Sequence, residues 1–293
     1  MVTHSIIIPT FNRPRLLRRA VSSAIMAIGA SGEVIVVDDG SDIPAEKSIS
    51  DFACSRLRIL RNPVPLAGGG SPSRNRGAKI ANGDVLFFLD DDDELIPDYC
   101  ANIIRNAIGE GATFGFSARL FVKGLHGDGV KTIAEKRALR NGLIPSTAQF
   151  KERTFPFSAA FWMLKGTFDA VGPMETGLKT NSDTEYCCRL YTSRRKGWYC
   201  ETPGVRVYDQ IDGLGGETDS VTRRTKSADR ATAFHFIAEK HENFLSQDPS
   251  AAAFVFARLM KHSFRAGDKR KAAAAAFKYI RERIRLLAPK SLL

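Results

Sequence analysis

The chain has 293 residues, of which 43% are hydrophobic and 26% are charged. These proportions supply enough apolar side chains for a sizeable core, and they exclude a chain that is disordered over most of its length. The sequence has no apolar run near the roughly 18 residues that span a bilayer, so an integral membrane protein is not expected. Because residues 1–5 lead straight into a strand pattern, without the charged leader of a secretory signal, we expect a cytoplasmic protein.

The formal net charge of +11 is concentrated at one end of the chain. Residues 251–293 hold 11 Lys or Arg and two acidic residues, which leaves a net charge of +2 on the first 250 residues. A nearly neutral body with a basic tail differs from a nucleic-acid-binding domain, so no nucleic acid is expected as a partner. The five cysteines lack the paired spacing of a metal site, and we expect reduced thiols.

The first hundred residues alternate short apolar runs with segments of helical periodicity, which is typical of βαβ units. Strands are predicted at residues 5–8, 33–37, 58–60 and 85–89. The first predicted helix has Pro14 in its first turn and stops at Gly29. The second is expected to open at Ser71, after a mobile glycine loop at 68–70, and to close at Asn82.

The later part of the chain predicts more helix. One helix is expected over 181–195, and three further helical segments over 226–244, 249–264 and 269–287. We therefore predict an α/β fold, with a mostly parallel sheet flanked by helices and a C-terminal helical extension. The expected division is a domain of residues 1–215 followed by an extension of residues 216–293.

Polar clusters follow three of the predicted strands, at residues 9–12, 38–41 and 90–93. In open parallel sheets, ligands bind in the crevice at the carboxyl ends of the strands. The three clusters are therefore expected to converge on one site.

Four consecutive aspartates, residues 90–93, would repel one another unless something compensates their charge. In extended backbone, residues two apart project to the same side, so Asp90 and Asp92 can share a divalent cation while Asp91 points elsewhere. Oxygen ligands of this kind suit Mg²⁺ or Mn²⁺. The alternative is a solvated acidic loop, but the position at a strand end favours the metal site.

Two further groups of residues suit a nucleotide. Asp38 and Asp39 can accept hydrogen bonds from a base or a ribose, or they can simply form the turn that ends the strand. The helix expected at Ser71 has free backbone N–H groups and carries Arg74 and Arg76 in its first turns. Such a helix end attracts an anion such as a nucleoside diphosphate, although an ordinary surface helix is the alternative.

Three segments together resemble the family 2 glycosyltransferases, which have the Rossmann-like GT-A fold. They are SIIIPTFNR at 5–13, EVIVVDDGS at 33–41, and the stretch at 74–93 that begins RNRG and ends FLDDDD. The resemblance covers about residues 1–215 and is weaker after 110. It implies an inverting transferase that moves a sugar from a nucleoside diphosphate sugar, most often a UDP-sugar, to a hydroxyl of a saccharide or lipid-linked saccharide in cell-surface polysaccharide or lipopolysaccharide synthesis.

The resemblance also implies roles for individual residues. Asp90 and Asp92 would be the ends of the family's DXD motif and would hold Mn²⁺ or Mg²⁺, with Asp92 the more direct ligand. Asp212 would be a further metal ligand, in a place where many relatives have histidine. The residues implied in donor binding are Pro9, Thr10, Asn12, Asp38, Asp39, Arg74, Asp90 and Asp91.

Residues 168–175 resemble the family segment that precedes its catalytic carboxylate, and the family's Glu-Asp pair maps onto Ser182 and Asp183. Serine thus stands where the family usually has glutamate. Asp183 becomes the candidate general base, which takes the proton of the acceptor hydroxyl as the new bond forms at the anomeric carbon. The alternative is that Ser182 or Asp183 only caps a helix.

The basic tail predicts an amphipathic helix. Phe277, Ile280, Ile284 and Leu287 lie on one helical face, with Lys and Arg around them. Such a helix can rest on an anionic bilayer, which would place the protein peripherally on the inner face of the membrane. The alternative is that the apolar stripe packs on the catalytic body.

Two other functions compete with glycosyl transfer. A sugar-phosphate nucleotidyltransferase would use a similar sheet with carboxylates and Mg²⁺, but its glycine-rich basic signature after the first strand is absent. A non-catalytic protein that binds membranes or polyanions would explain the tail, but not three acidic or polar strand ends.

Overall fold

The computed structural model describes residues 2–66, 69–123, 131–208 and 225–287. Its strands are β1 (His4–Thr10), β2 (Gly32–Asp38), β3 (Leu57–Arg61), β4 (Val85–Phe88), β5 (Glu94–Leu95), β6 (Phe114–Lys123), β7 (Lys131–Ala134), β8 (Gly142–Leu143), β9 (Trp162–Leu164) and β10 (Gly197–Tyr208). Its helices are α1 (Pro14–Ala27), α2 (Ala45–Ser48), α3 (Gly70–Ile80), α4 (Tyr99–Asn106), α5 (Phe150–Arg153), α6 (Lys165–Val171), α7 (Ser182–Thr192), α8 (Ser227–Lys240), α9 (Glu242–Gln247), α10 (Pro249–Arg265) and α11 (Lys269–Leu287).

The strands form one mixed sheet, in which eight follow the order β3-β2-β1-β4-β9-β6-β10-β5, while β7 pairs with β6 and β8 pairs with β10. The first four strands in this order are parallel to one another, as are β6 and β10. Strand β9 runs antiparallel to both of its neighbours and so joins the two parallel parts. The predicted α/β class is confirmed, with parallel pairing confined to these two parts of the sheet.

The first two predicted helices form close to their expected limits. Helix α1 begins at Pro14, and Gly29 follows it with a φ of 52°. Helix α3 begins one residue earlier than predicted, at Gly70, because Gly69 takes the left-handed φ of 65° that turns the chain into the helix. Of the expected glycine loop, Gly68 lies outside the described residues.

The sheet buries an apolar layer on each face. Along β1, Ile6 and Ile8 point to the layer under α1 and α4, whereas Ile7 points to the opposite layer, as alternation in a strand requires. The C-terminal helices contribute Phe234 and Val255 to the layer that contains Ile7. They therefore pack on the face of the sheet that also carries α3 and α7.

Within residues 225–287, the C-terminal extension has one more helix than predicted. The segment expected at 226–244 divides at His241 into α8 and α9. The expected boundary between residues 215 and 216 lies outside the described residues, and the division into two domains stays a prediction. Over the described ranges, no helix combines the length and the apolar character needed to cross a membrane.

The cysteines lie among other core side chains. All five are free, and all but Cys54 are buried. Burial raises the pKa of the Cys187 thiol to about 12, so this thiol is protonated at neutral pH.

Candidate active site

The polar ends of β1, β2 and β4 meet at one edge of the sheet. Thr10 lies beside Asp38 in the parallel register, and the backbone N–H of Asp39 donates to the carbonyl of Thr10 at 2.9 Å. From the other side, the Thr10 hydroxyl donates to Asp91 Oδ2 at 2.8 Å. The structure thus brings together the three clusters that the sequence placed in one crevice.

Three of the four consecutive aspartates form an acidic cluster. The carboxylates of Asp90, Asp92 and Asp93 each offer an oxygen within 4.8 Å of the others. Asp91 points away and accepts hydrogen bonds from Thr10 and, at 2.9 Å, from Arg13 Nη1. The separation of Asp91 from Asp90 and Asp92 is the one that the alternation of side chains predicts.

Asp93 joins the cluster because the backbone turns. Its N–H donates to the carbonyl of Asp90 at 3.2 Å, which closes a turn directly after β4. Strand alternation, which would have grouped Asp93 with Asp91, does not hold through that turn. Sequence reasoning therefore did not include Asp93 among the metal ligands. The one signal for it was that the acidic run continues beyond Asp92.

Two arginines, Arg13 and Arg74, pair with three of the four aspartates of this run. Burial raises the pKa of Asp92, and the nearby Asp90 carboxylate raises it further. The Arg13 guanidinium, whose Nη1 lies 3.0 Å from Asp92 Oδ2, opposes this shift. Burial raises the pKa of Asp93 well above its usual range and that of Asp91 to about 6. Asp90 is paired with Arg74.

This donor set fits a small divalent cation. It is made of carboxylate oxygens alone, which Mg²⁺ and Mn²⁺ prefer, and such an ion would offset the repulsion between the neighbouring carboxylates. The side chains of Asp90 and Asp92 are 26% and 36% exposed, so a ligand can reach both. Asp212, the third metal ligand implied by the resemblance, lies outside the described residues.

The adjacent Asp38 and Asp39 differ in what their carboxylates can do. Asp38 is fully buried, and its oxygens accept from the N–H groups of Ser41 and Ala45 and from Arg61. It organises the turn, which is the alternative that the sequence left open. Asp39 is only partly buried and accepts from the Asn62 amide at 2.7 Å, so it is the better placed of the two to meet a ligand.

The loop after β1 is fixed by contacts with the loop after β2. Asn12 has a left-handed φ of 54°, and its side-chain amide exchanges two hydrogen bonds with Asp42, at 2.7 and 3.1 Å. Pro9 is buried within β1. Arg13, to which the sequence assigned no separate role, reaches back to Asp91 and Asp92.

Helix α3 connects the acidic cluster with α7. Arg74 is buried, pairs with Asp90 and lies 5.0 Å from the centre of the Phe157 ring. One turn earlier, the Ser71 hydroxyl donates to the Ser182 hydroxyl at 3.0 Å. The first turns of α3 and α7 therefore touch.

Asp183 lies in the first turn of α7, beside this contact. Its Oδ1 accepts from the N–H of Thr184 at 2.6 Å. Burial raises the pKa of the Asp183 carboxyl, the negative charge of Asp90 adds to this shift, and Arg74 opposes it. A carboxylate with a raised pKa holds a proton more readily, which suits a general base.

Glu185, two residues after Asp183 in α7, is a second buried carboxylate that the sequence did not single out. It is completely buried and accepts from Arg189 at 2.9 Å and from Lys240 and His241 at 3.1 Å each. Although burial opposes the shift, these partners lower the pKa of Glu185 to about 2. Because Lys240 and His241 end α8, the network fastens α7 to the C-terminal helices.

Arg258 on α10 extends the charged environment of Asp183. Its guanidinium lies 3.3 Å from the centre of the Phe254 ring and donates to the carbonyl of Phe254 at 3.3 Å. Burial lowers the pKa of Arg258 to about 10, and Asp183 opposes that shift. The C-terminal extension thus adds a positive charge near the candidate base.

Comparison with known proteins gives a match to a family and to individual relatives. The family model Glycosyl transferase family 2 matches residues 5–173, which include all three polar strand ends. The UDP-Glc:alpha-D-GlcNAc-diphosphoundecaprenol beta-1,3-glucosyltransferase WfgD of Escherichia coli is 34% identical over 89 residues, which are 30% of this chain and 34% of the relative. The GalNAc(5)-diNAcBac-PP-undecaprenol beta-1,3-glucosyltransferase of Campylobacter jejuni is 31% identical over 121 residues, which are 41% of this chain and 38% of the relative.

Among solved structures, S. aureus TarS 1-349 in complex with UDP-GlcNAc is similar, with a TM-score of 0.67. The similarity covers 95% of this chain and 92% of that chain at 15% identity, and it confirms the predicted GT-A fold. The alignments to the two curated relatives span just over a third of the length of each relative. Because the family model matches more than half of the residues, the chain belongs to glycosyl transferase family 2.

Proposed function

We propose that this protein transfers a sugar from a nucleoside diphosphate sugar to an acceptor hydroxyl with inversion at the anomeric carbon. The observation that carries this proposal is the acidic cluster at the ends of the parallel strands, next to a carboxylate of raised pKa on α7. The first supplies a place for a metal–diphosphate, and the second supplies a base. Neither a sugar-phosphate nucleotidyltransferase nor a non-catalytic binder is favoured by a feature of this site.

In the proposed reaction, Asp183 accepts the proton of the acceptor hydroxyl while the hydroxyl oxygen attacks the anomeric carbon. The bond from that carbon to the diphosphate oxygen breaks at the same time, and its electron pair leaves with the diphosphate. Attack from the face opposite to the leaving group inverts the configuration. A Mg²⁺ or Mn²⁺ bound by Asp90, Asp92 and Asp93 would neutralise the charge that grows on the diphosphate.

The remaining residues would hold the donor in place. Asp39 would accept a hydrogen bond from the base or the ribose, and Thr10 and Asn12 would fix the loop that lies against the nucleoside. Arg13 and Arg74 would keep the aspartates oriented before the donor arrives. Preorganised groups of this kind avoid reorganisation during the reaction.

We propose a UDP-sugar as donor and a lipid-linked saccharide as acceptor, in the synthesis of a cell-surface polysaccharide. The TarS structure contains UDP-GlcNAc, and the two named relatives act on undecaprenol-linked saccharides. With an acceptor of that kind, the sugar transfer would take place at the cytoplasmic face of the membrane.

The test is a thermal-shift comparison of UDP, GDP, TDP and CMP, each with Mn²⁺, Mg²⁺ or EDTA. A ligand that binds only the folded state raises the melting temperature. We expect one diphosphate to raise it only with metal, and Asp92→Asn to lose that shift while Glu110→Gln, at an exposed acid outside the site, keeps it. A metal-independent shift, or none with any nucleotide, would refute the proposal.

A further inference from the structure

Helix α11 has one face that packs on α10. Ala272, Ala275 and Glu282 are buried on that face. Glu282 is held by Arg281 and by Arg285, each at 2.7 Å, and Arg285 also donates to the carbonyl of Ser246 at 3.1 Å. These contacts fix the rotation of α11 about its own axis.

The opposite face of α11 carries an apolar stripe, which consists of Phe277, Ile280, Ile284 and Leu287. The spacing of three, four and three residues keeps the four side chains on one side of the helix. They are 73%, 56%, 63% and 77% exposed. Within the described ranges the stripe therefore does not pack on the body, which is the alternative that the sequence left open.

Basic side chains border the apolar stripe on both sides. At 100° per residue, the exposed Arg283 falls on one border and the exposed Arg270 on the other, where Arg281 also lies but is paired with Glu282. A helix with a large apolar face between cations lies in the interface of a bilayer, where the apolar side chains enter the acyl boundary and the long basic side chains reach the headgroups. A second copy of the chain would instead bring the same arginines against each other.

We propose that the apolar stripe of α11 and its bordering arginines dock the protein on an anionic phospholipid bilayer. Charge complementarity selects this occupant, because an anionic surface attracts the arginines that a second copy would repel. The inference does not depend on sugar transfer. It would hold for a protein that binds membranes and has no catalytic activity.

The experiment is co-sedimentation of the full-length protein with vesicles of phosphatidylglycerol and phosphatidylethanolamine, compared with phosphatidylcholine vesicles. We expect binding to the anionic vesicles only. The double variant Phe277→Glu/Ile284→Glu should lose at least about tenfold in partitioning, because it removes apolar area and adds negative charge. Arg270→Gln/Arg283→Gln should lose several-fold, with a weaker dependence on salt.

The control is Met26→Glu, which places a charge on an exposed apolar side chain of α1 and should leave binding unchanged. Melting temperatures and the nucleotide shift of each variant establish that it is folded, so a failed docking proposal is separable from a failed transferase proposal. Equal binding by wild type and Phe277→Glu/Ile284→Glu would overturn the proposal. So would a wild-type dimer that this variant dissociates without any vesicle binding.

Discussion

The crevice at the ends of the parallel strands and the C-terminal helix α11 use charge in opposite ways. In the crevice, buried aspartates face arginines from other elements, as Asp38 faces Arg61 and Asp91 faces Arg13. On α11, Arg270 and Arg283 are exposed beside apolar side chains. Paired charges hold one geometry for the reacting groups, whereas exposed charges next to an apolar stripe suit a partner outside the chain.

The largest effect is expected when the carboxylate of Asp183 is removed, which tests whether the charged groups of the crevice serve catalysis. We expect Asp183→Asn to reduce turnover by roughly 100- to 10,000-fold, because the acceptor hydroxyl loses its base. Turnover is measured as release of the nucleoside diphosphate from the donor that thermal shifts identify. The metal-dependent donor shift should be kept, and a variant with full turnover would show that the base lies elsewhere.

Replacement of Glu185 tests whether the paired charges of α7 stabilise the fold. Its folded pKa of about 2 lies below the usual 4.5, so it contributes stability above pH 4.5 and loses it as the pH falls toward 2. We expect Glu185→Gln to lower the free energy of unfolding by about 3 kcal/mol at pH 7.

The pH dependence of this loss of stability distinguishes the contribution of the ion network from that of packing. Chemical denaturation of both proteins should show a difference that narrows as the pH falls below 4.5. A difference that stays constant down to pH 3 would mean that lost packing, and not the charge of Glu185, causes the destabilisation.

The two faces of α11 should respond differently to substitution. Ala275→Leu should lower the free energy of unfolding by about 1 to 3 kcal/mol, because it overpacks the buried contact with α10. Phe277→Ala should change it by less than about 0.5 kcal/mol, since the ring is exposed. Urea denaturation measures both, and equal losses would mean that the apolar stripe is covered by the chain itself.

A smaller effect is expected from Arg258, the cation that the extension brings near Asp183. Arg258→Met removes a positive charge that favours the ionised base, so the pKa of Asp183 should rise. The acidic limb of the profile of kcat/KM against pH should then move to higher pH by roughly half a unit. Arg265→Met, on the same helix but exposed, is the matched control and should leave the profile in place.

The first half of the fold was predictable because its signals are local. Apolar runs and turn residues located β1 to β4 within a few residues, and the rule for parallel sheets located the crevice. Strand β9 escaped prediction because three residues, Trp162–Leu164, are too short to show a period. Its antiparallel insertion depends on pairing with β4 and β6, which no local pattern encodes.

The site was predictable where one segment supplies the chemistry. The alternation of side chains along the aspartate run predicted that Asp91 points away from Asp90 and Asp92. It did not predict the turn that brings Asp93 into the cluster. Glu185 could not be recognised, because its partners Lys240 and His241 lie 55 and 56 residues further along the chain. A buried network between distant elements depends on tertiary packing, which the sequence pattern does not contain.

The hydrogen bond between Ser71 and Ser182 has a consequence for the acidity of the whole crevice. Position 182 holds a neutral hydroxyl where the resemblance leads one to expect a glutamate, so the contact between α3 and α7 does not change with protonation. A carboxylate there would add one negative charge beside Asp183 and raise the pKa of that residue further. Ser182 therefore keeps Asp183 ionised over a wider range of pH. It also adds no further negative charge for the arginines near the aspartates to neutralise.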